Sequence, residues 1–265
     1  MSGRVAGKVV LVTGGAKGLG EADARALAAE GAQVVLTDID REAGQAVADE
    51  IGGAFKHQDV TDEARWQEII DEISSEYGAL HVLVNNAGIV LAGTVETQTY
   101  AEYRAQVEVM ADSTFLGSKY AIQLMAESGG GSIINMASVV SKLGYSGTVG
   151  YAAAKGAIEG MTRSIAAHCL ESGYRIRCNS IHPGVIDTPM VRNLGRLVAE
   201  AALENPEQAD VPDPSALAGV VGHPHNVADL VVFLASDESS FITAQEFVVD
   251  GGMSMLPAPL PHALQ

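Results

Sequence analysis

Two rhythms alternate along the chain. Short, nearly continuous apolar runs recur near 8–13, 33–38, 54–58, 80–85, 131–137, 175–181 and 245–250. Runs of that kind read as strands buried on both faces. Between them, near 18–30, 41–51, 62–77, 99–128, 149–172 and 225–236, apolar residues fall at helical spacing. Strand and helix in succession make βαβ units, so the strands run parallel and the helices cover both faces of the sheet. The predicted fold is α/β, a three-layer doubly wound arrangement on a seven-stranded parallel sheet. Ligands bind such sheets at the carboxyl ends of the strands. Thr13, Asp38, Asp59, Asn85, Ser138 and His182 fall at those ends.

The alternation lapses between Pro189 and Gly222. Met190 to Leu203 reads as helix, while Asn205-Pro206 and Val211-Pro-Asp-Pro214 read as loop, and the segment of about 189–222 is expected to be a lid over substrate. The proline-rich tail, 255–265, cannot continue a helix. With 265 residues the chain suits one large domain, 1–265. Its formal net charge of −17 argues against nucleic acid or an anionic membrane as partner. Apolar runs stop short of the roughly eighteen residues a spanning helix needs, and the N-terminus lacks a signal-peptide pattern, so a cytoplasmic location is expected. Cys169 and Cys178 read as reduced core residues, and no His/Cys spacing predicts a metal site.

Candidate chemistry starts at the first strand, Lys8-Val-Val-Leu-Val-Thr13, which passes directly into Gly14-Gly-Ala-Lys-Gly18-Leu-Gly20 and a helix. Strand, glycine turn and helix in that order are the context of a dinucleotide site, since glycines let backbone approach a pyrophosphate and the helix N-terminus offers N–H donors. Gly14, Lys17, Gly18, Leu19 and Gly20 are its candidate residues, and the arrangement is that of a Rossmann fold. The second strand ends at Asp38, eighteen residues after Gly20, where a carboxylate can bind the hydroxyls of an adenosine ribose and repel a 2′-phosphate. Lys17 pulls weakly the other way. The expected cofactor is NAD.

Tyr151-Ala-Ala-Ala-Lys155 places a phenol and an ammonium four residues apart on one helical face. Such a lysine favours phenolate and is expected to lower the tyrosine pKa from about 10. Ser138, at the end of the apolar run from Gly131, could hold the same substrate oxygen for proton transfer.

These segments bring the chain to a family: it resembles the short-chain dehydrogenases/reductases from about Gly7 to Met253. The likeness is carried by Thr13-Gly-Gly-Ala-Lys-Gly-Leu-Gly20, Asp59-Val60, Asn85-Asn-Ala-Gly88, Ser138, Tyr151-Ala-Ala-Ala-Lys155, His182-Pro-Gly-Val-Ile-Asp-Thr188 and Asp250-Gly-Gly252. The resemblance implies that Asp59 and Val60 flank the adenine and that Asn86, Ala87 and Gly88 back the cofactor. It also implies that Pro183 and Gly184 line the cofactor site and that Ile186 and Thr188 meet the nicotinamide carboxamide. Tyr151 would exchange the proton, Lys155 would tune it and hold the nicotinamide ribose, and Ser138 would orient the substrate. Val140, Leu143 and Tyr145, with Val139, Val90, Leu91 and the lid, would line an uncharged pocket for a bulky or cyclic alcohol or ketone. A homotetramer through the helices of 99–128 and 149–172 is also implied.

One position departs from the resemblance. The phrase Val109-Met-Ala-Asp-Ser-Thr-Phe-Leu-Gly117 puts Met110 where the family carries a catalytic asparagine that kinks its helix and holds a water beside the lysine. A thioether is only a weak acceptor. Three readings stand: an enzyme with a relay rebuilt around another group such as Asp112 or Ser113, a slow enzyme, or a protein that binds NAD without chemistry. An NADPH-dependent biosynthetic ketoreductase is a further rival, opposed by Asp38.

Overall fold

The computed structural model describes residues 3–204 and 221–255. Its seven strands are β1 (Val9–Thr13), β2 (Gln33–Asp38), β3 (Ala54–His57), β4 (Val82–Asn85), β5 (Gly131–Met136), β6 (Ile176–Pro183) and β7 (Glu246–Val249). All pair in parallel, in the order β3-β2-β1-β4-β5-β6-β7. Every expected strand is present, and its ends differ from the expectation by two residues or fewer. The order reverses between β1 and β4, which opens a crevice at their carboxyl ends.

Burial on both faces explains why the central strand β1 is apolar from Val9 to Val12. In β1, Val10 and Val12 pack with Ala24 and Leu27 of helix α1 (Gly18–Ala29), Val47 of α2 (Arg41–Ile51) and Val231 of α8 (Pro224–Ala235). Val9 and Leu11 face the other way, toward Trp66 and Ile69 of α3 (Glu63–Tyr77), Leu116 of α5 (Ser113–Glu127) and Cys169 of α6 (Val149–Glu171). Helices therefore cover both faces. Caps fix their starts: Asp40 accepts from the Ala43 N–H at α2, and Thr99 and Glu102 form a reciprocal box at α4 (Tyr100–Val107).

The helix expected over 99–128 is not continuous. Between α4 and α5 the chain widens into a π-helical turn, Glu108–Asp112, with Met110 fully buried inside it. A wide turn disturbs the ordinary carbonyl pairing, and two hydroxyls occupy the carbonyls concerned. Ser113 Oγ donates to the Val109 carbonyl at 2.6 Å, and Thr114 Oγ1 to that of Met110 at 2.8 Å.

A buried polar chain ties the sheet to α6. Asn85 Nδ2 on β4 donates to Asn135 Oδ1 on β5 at 2.9 Å, and Asn135 Nδ2 donates to Thr162 Oγ1 on α6 at 2.9 Å. The helix expected from Met190 is α7 (Pro189–Glu204). Residues 205–220 of the expected lid and 256–265 of the expected tail lie outside the described residues. Cys169 and Cys178 are buried and unbridged, and burial pushes both thiols up. Among the described residues no helix is long and apolar enough to cross a membrane.

Asp23 of α1 is fully buried with neither carboxyl oxygen hydrogen-bonded, and burial raises its pKa well above the usual range. The unfolded chain ionises this group near pH 4 while burial in the fold disfavours the ionised form, so stability is lost as pH rises above the unfolded value. Asp23→Ala is expected to stabilise the protein by about 1–3 kcal/mol at pH 7, with the gain shrinking toward pH 4. Urea unfolding at both pH values checks this, and an equal gain at the two would contradict it.

Candidate active site

At the carboxyl ends of the strands lies a cavity of about 300 Å³. Its wall includes Gly14, Lys17, Gly18, Leu19, Asp38, Asn86, Ala87, Gly88, Ser138, Tyr151, Lys155, Pro183, Gly184, Ile186 and Thr188. These come from six separate stretches of sequence. Gly20, Asp59, Val60, Val140, Leu143 and Tyr145 are not part of that wall. Gly20 lies buried under the glycine turn. Asp59 accepts from the N–H and hydroxyl of Thr61, while Val60 sits in the core and its carbonyl accepts from Trp66 Nε1 at 2.8 Å.

One end of the cavity is built by the close approach of β1 and β4. Thr13 Oγ1 accepts from the N–H groups of Asn86 and Ala87, both at 3.1 Å. Asn86 Nδ2 returns to the carbonyls of Thr13 and Gly14. The crossing leaves no room for a side chain at Gly20, where a Cβ would fall 2.2 Å from the Gly14 oxygen and 2.4 Å from Asn86 Nδ2. Gly14 and Gly18 also hold positive φ, at 64° and 63°. Lys17, the N-cap of α1, provides no side-chain cap, so the first N–H groups of the helix remain available to an anion. Across the turn, Asp38 accepts from Ala16 N–H at 3.1 Å and Asp40 N–H at 3.0 Å, which fixes its carboxylate at the cavity. A Cβ-free cradle, an uncapped helix terminus and an oriented carboxylate fit a dinucleotide.

The other end holds the titratable groups. Tyr151 and Lys155 lie on the first turns of α6, and Ser138 follows β5 by two residues. The Ser138 hydroxyl lies beside the Tyr151 phenol. Lys155 is buried, with Nζ donating to the Met136 carbonyl at 2.6 Å and lying 5.5 Å from the centre of the Tyr151 ring. Burial pushes the phenol up to about 12, with the Ser138 hydroxyl acting the other way, and pushes the lysine down to about 7. The sequence leads one to expect a phenol lowered by its lysine. In the fold, loss of water disfavours both charges and outweighs their attraction. A phenol protonated at neutral pH is suited to give a proton.

Ser138 is braced from behind. His182 Nδ1 lies 3.2 Å from the Ser138 carbonyl and 3.3 Å from Ser141 Oγ, and Nε2 lies 2.9 Å from Ser180 Oγ. Glu159, His182 and Glu246 bring three metal-type donors within 4.8 Å of one another. Both carboxylates already pair with Lys142 and Arg163, so the cluster pins the loop after Ser138 to α6 and β7. Sequence reasoning left out Met136, Ala137, Met190 and Val191 as individual wall residues. The strand-end rule could have found Met136, whose carbonyl holds Lys155. Met110 packs with Ala137, Ala154, Ile158 and Tyr151, in an apolar cluster beside the site.

Comparison with known proteins adds independent findings. A family model described as enoyl-(acyl carrier protein) reductase matches residues 14–254. A 3-alpha-(or 20-beta)-hydroxysteroid dehydrogenase of Mycobacterium tuberculosis is 44% identical over 95% of this chain and 91% of its own. A 3-beta-hydroxysteroid dehydrogenase of Comamonas testosteroni is 42% identical, covering 96% and 98%. An NADP-dependent (R)-specific alcohol dehydrogenase of Lentilactobacillus kefiri is 39% identical, covering 95% and 98%.

Because Met110 is fully buried among apolar groups, its thioether contributes volume and no polar contact. Met110→Leu is expected to cost less than about 1.5 kcal/mol. Met110→Asn, which buries an amide in the same place, should cost about 1–3 kcal/mol. Denaturant midpoints of the two variants decide the matter, and an asparagine variant as stable as the leucine one would mean that polar partners or water are already there.

Proposed function

The chain belongs to the short-chain dehydrogenase/reductase family, and from that premise we propose that it is an NAD-dependent oxidoreductase interconverting a bulky or cyclic secondary alcohol and its ketone. The observation that carries this reading is a single cavity with Asp38 and the glycine turn at one end and Ser138, Tyr151 and Lys155 at the other. The relatives support the substrate class, since two of them are named for hydroxysteroids and one for an alcohol. Leu19, Ile186, Met190 and Val191 give the cavity apolar walls, which favour a substrate without charge. One relative is NADP-dependent, so cofactor choice is argued from Asp38. A dinucleotide would be held by Gly14, Gly18 and the α1 N-terminus at its phosphates, by Asp38 at the adenosine ribose, and by Lys155, Ile186 and Thr188 at the nicotinamide end. When bound, it supplies the hydride acceptor or donor.

The protein's own residues handle the proton. Ser138 hydrogen-bonds the substrate oxygen and sets it beside the Tyr151 phenol, which gives its proton in the reducing direction and takes one in the oxidising direction. Lys155, held by the Met136 carbonyl, supplies positive potential beside the phenol when it is protonated. Assembly is proposed as a homotetramer through α5 and α6, where Phe115 is more than half exposed beside Ala157 and Met161. Light scattering at micromolar concentration should give four chains, and a monomer would contradict it.

The test is turnover on a panel of cyclic, aromatic and steroid-like secondary alcohols with NAD+. Tyr151→Phe should lower kcat by at least about 10²-fold. Because the phenol is raised to about 12, oxidation, which needs phenolate, should climb from pH 7 to 10, whereas reduction should be fastest at the lower end. No turnover on any alcohol, with NAD binding equal in wild type and Tyr151→Phe, would replace the enzyme reading with that of an NAD-binding protein.

A further inference from the structure

Lys17 is the sole cation of the Gly14–Gly20 turn and lies in the cavity wall beside Asp38. A lysine there has an evident use, since it could neutralise the 2′-phosphate that distinguishes NADP from NAD. The structure gives it another partner. Its Nζ lies 2.6 Å from Asp40 Oδ2. We propose that Asp40, which is not part of the cavity wall, is a positioning residue for cofactor choice: it holds Lys17 in an ion pair and withholds it from a 2′-phosphate. The inference rests on the nicotinamide dinucleotide reading above.

Asp40 is itself fixed. Its Oδ1 accepts from Ala43 N–H at 3.1 Å as the N-cap of α2, and its own N–H donates to Asp38 Oδ1 at 3.0 Å. The two carboxylates are therefore built as one unit over the glycine turn, and they outnumber the single ammonium between them. For Lys17 to reach a phosphate it must leave Asp40, and the freed carboxylate would then face the phosphate as well. Ile39, between the two aspartates, is exposed and apolar and offers the phosphate nothing. An exposed ion pair adds little to stability, but here its consequence is to remove the cation that would offset Asp38. The exposed Arg41, next in the chain at the start of α2, is the other cation close by in sequence.

Asp40→Asn tests this cleanly, because asparagine caps a helix as well as aspartate and leaves α2 intact. Dissociation constants for NAD+ and NADP+, read by titration, and kcat/KM for both are compared in wild type, Asp40→Asn, Lys17→Ala and the double variant. Wild type should prefer NAD+ by at least about tenfold. Asp40→Asn should raise NADP+ relative to NAD+ by about fivefold or more, the effect expected for one charge against a phosphate dianion at roughly 7 Å in water. Adding Lys17→Ala should abolish the gain. A ratio unmoved by Asp40→Asn overturns the proposal while leaving the NAD reading standing. A gain that survives Lys17→Ala overturns it too and assigns the effect to direct repulsion by the Asp40 carboxylate. Wild type that prefers NADP+, or binds neither cofactor, defeats the NAD reading and this inference with it, and does so before any variant is made.

Discussion

An ammonium taken out of water needs a fixed acceptor, and Lys155 finds its acceptor in the carbonyl of Met136, the last residue of β5. Much of the architecture serves to keep that contact. The lysine rides on α6 and the carbonyl on the sheet, so the 2.6 Å bond survives only if helix and sheet keep their register. The buried chain from Asn85 through Asn135 to Thr162 supplies that constraint one layer deeper. Its members have few alternative partners inside the core, so slipping by one residue would leave amides unpaired at about 1–3 kcal/mol each. Ser138 is fixed by the same strand, and His182 on β6 steadies its carbonyl. The three groups of the site thus take their positions from backbone and buried amides rather than from one another.

That origin explains the electrostatics. A lysine four residues along a helix from a tyrosine suggests a charge pair in which the phenol becomes more acidic. Coulomb attraction at such distances is worth about 4 kcal/mol at an effective dielectric of 20. Full burial shifts a group by up to about 3–5 pKa units against its charged form. Here the ammonium turns to a carbonyl, so attraction is not optimised and burial wins. The result is a phenol that keeps its proton near pH 7 beside a lysine that is charged only in part. Such a pair costs the fold less than two buried charges and responds strongly to any charge or hydrogen bond that a ligand introduces.

Much of this was legible in the sequence because it depends on features with few alternatives. Strands buried on both faces, such as β1 and β4, must be largely apolar, so the centre of the sheet was visible. The glycine turn was visible because a Cβ at Gly20 has nowhere to go. Gly117 belongs to the same class: a Cβ there would lie 2.5 Å from Asn85 Oδ1 and 2.8 Å from the Trp66 ring, so α5 can approach β4 only through glycine. What stayed hidden depended on local competition. The π-helical turn at Glu108–Asp112 rests on Ser113 and Thr114 hydroxyls, and serine or threonine in a helix points to solvent or back to a carbonyl with no sign in the periodicity. The pairing of Lys17 with Asp40 and the orientation of Val60 toward the core are likewise choices among partners that spacing alone leaves open.

Met110 brings these threads together. The asparagine of the resembled family does two things at this position: it bends the helix and it hydrates the lysine. In this chain a wide turn stands here without the amide, because hydroxyls one turn along the same backbone occupy the carbonyls that it disturbs. The bending duty therefore does not require an amide, and the position is free to be filled for packing. Methionine fills it well: a Cβ on Gly88 would lie 3.4 Å from both its Cγ and its Sδ, so the side chain presses on the turn that lines the cavity. Its neighbours Ala137, Ala154 and Ile158 are apolar, and an apolar space of this kind does not hold water. Lys155 consequently meets solvent from the cavity side, where Ser138 and Tyr151 also stand, and exchange of its proton is coupled to whatever occupies that cavity rather than to a path through the helix.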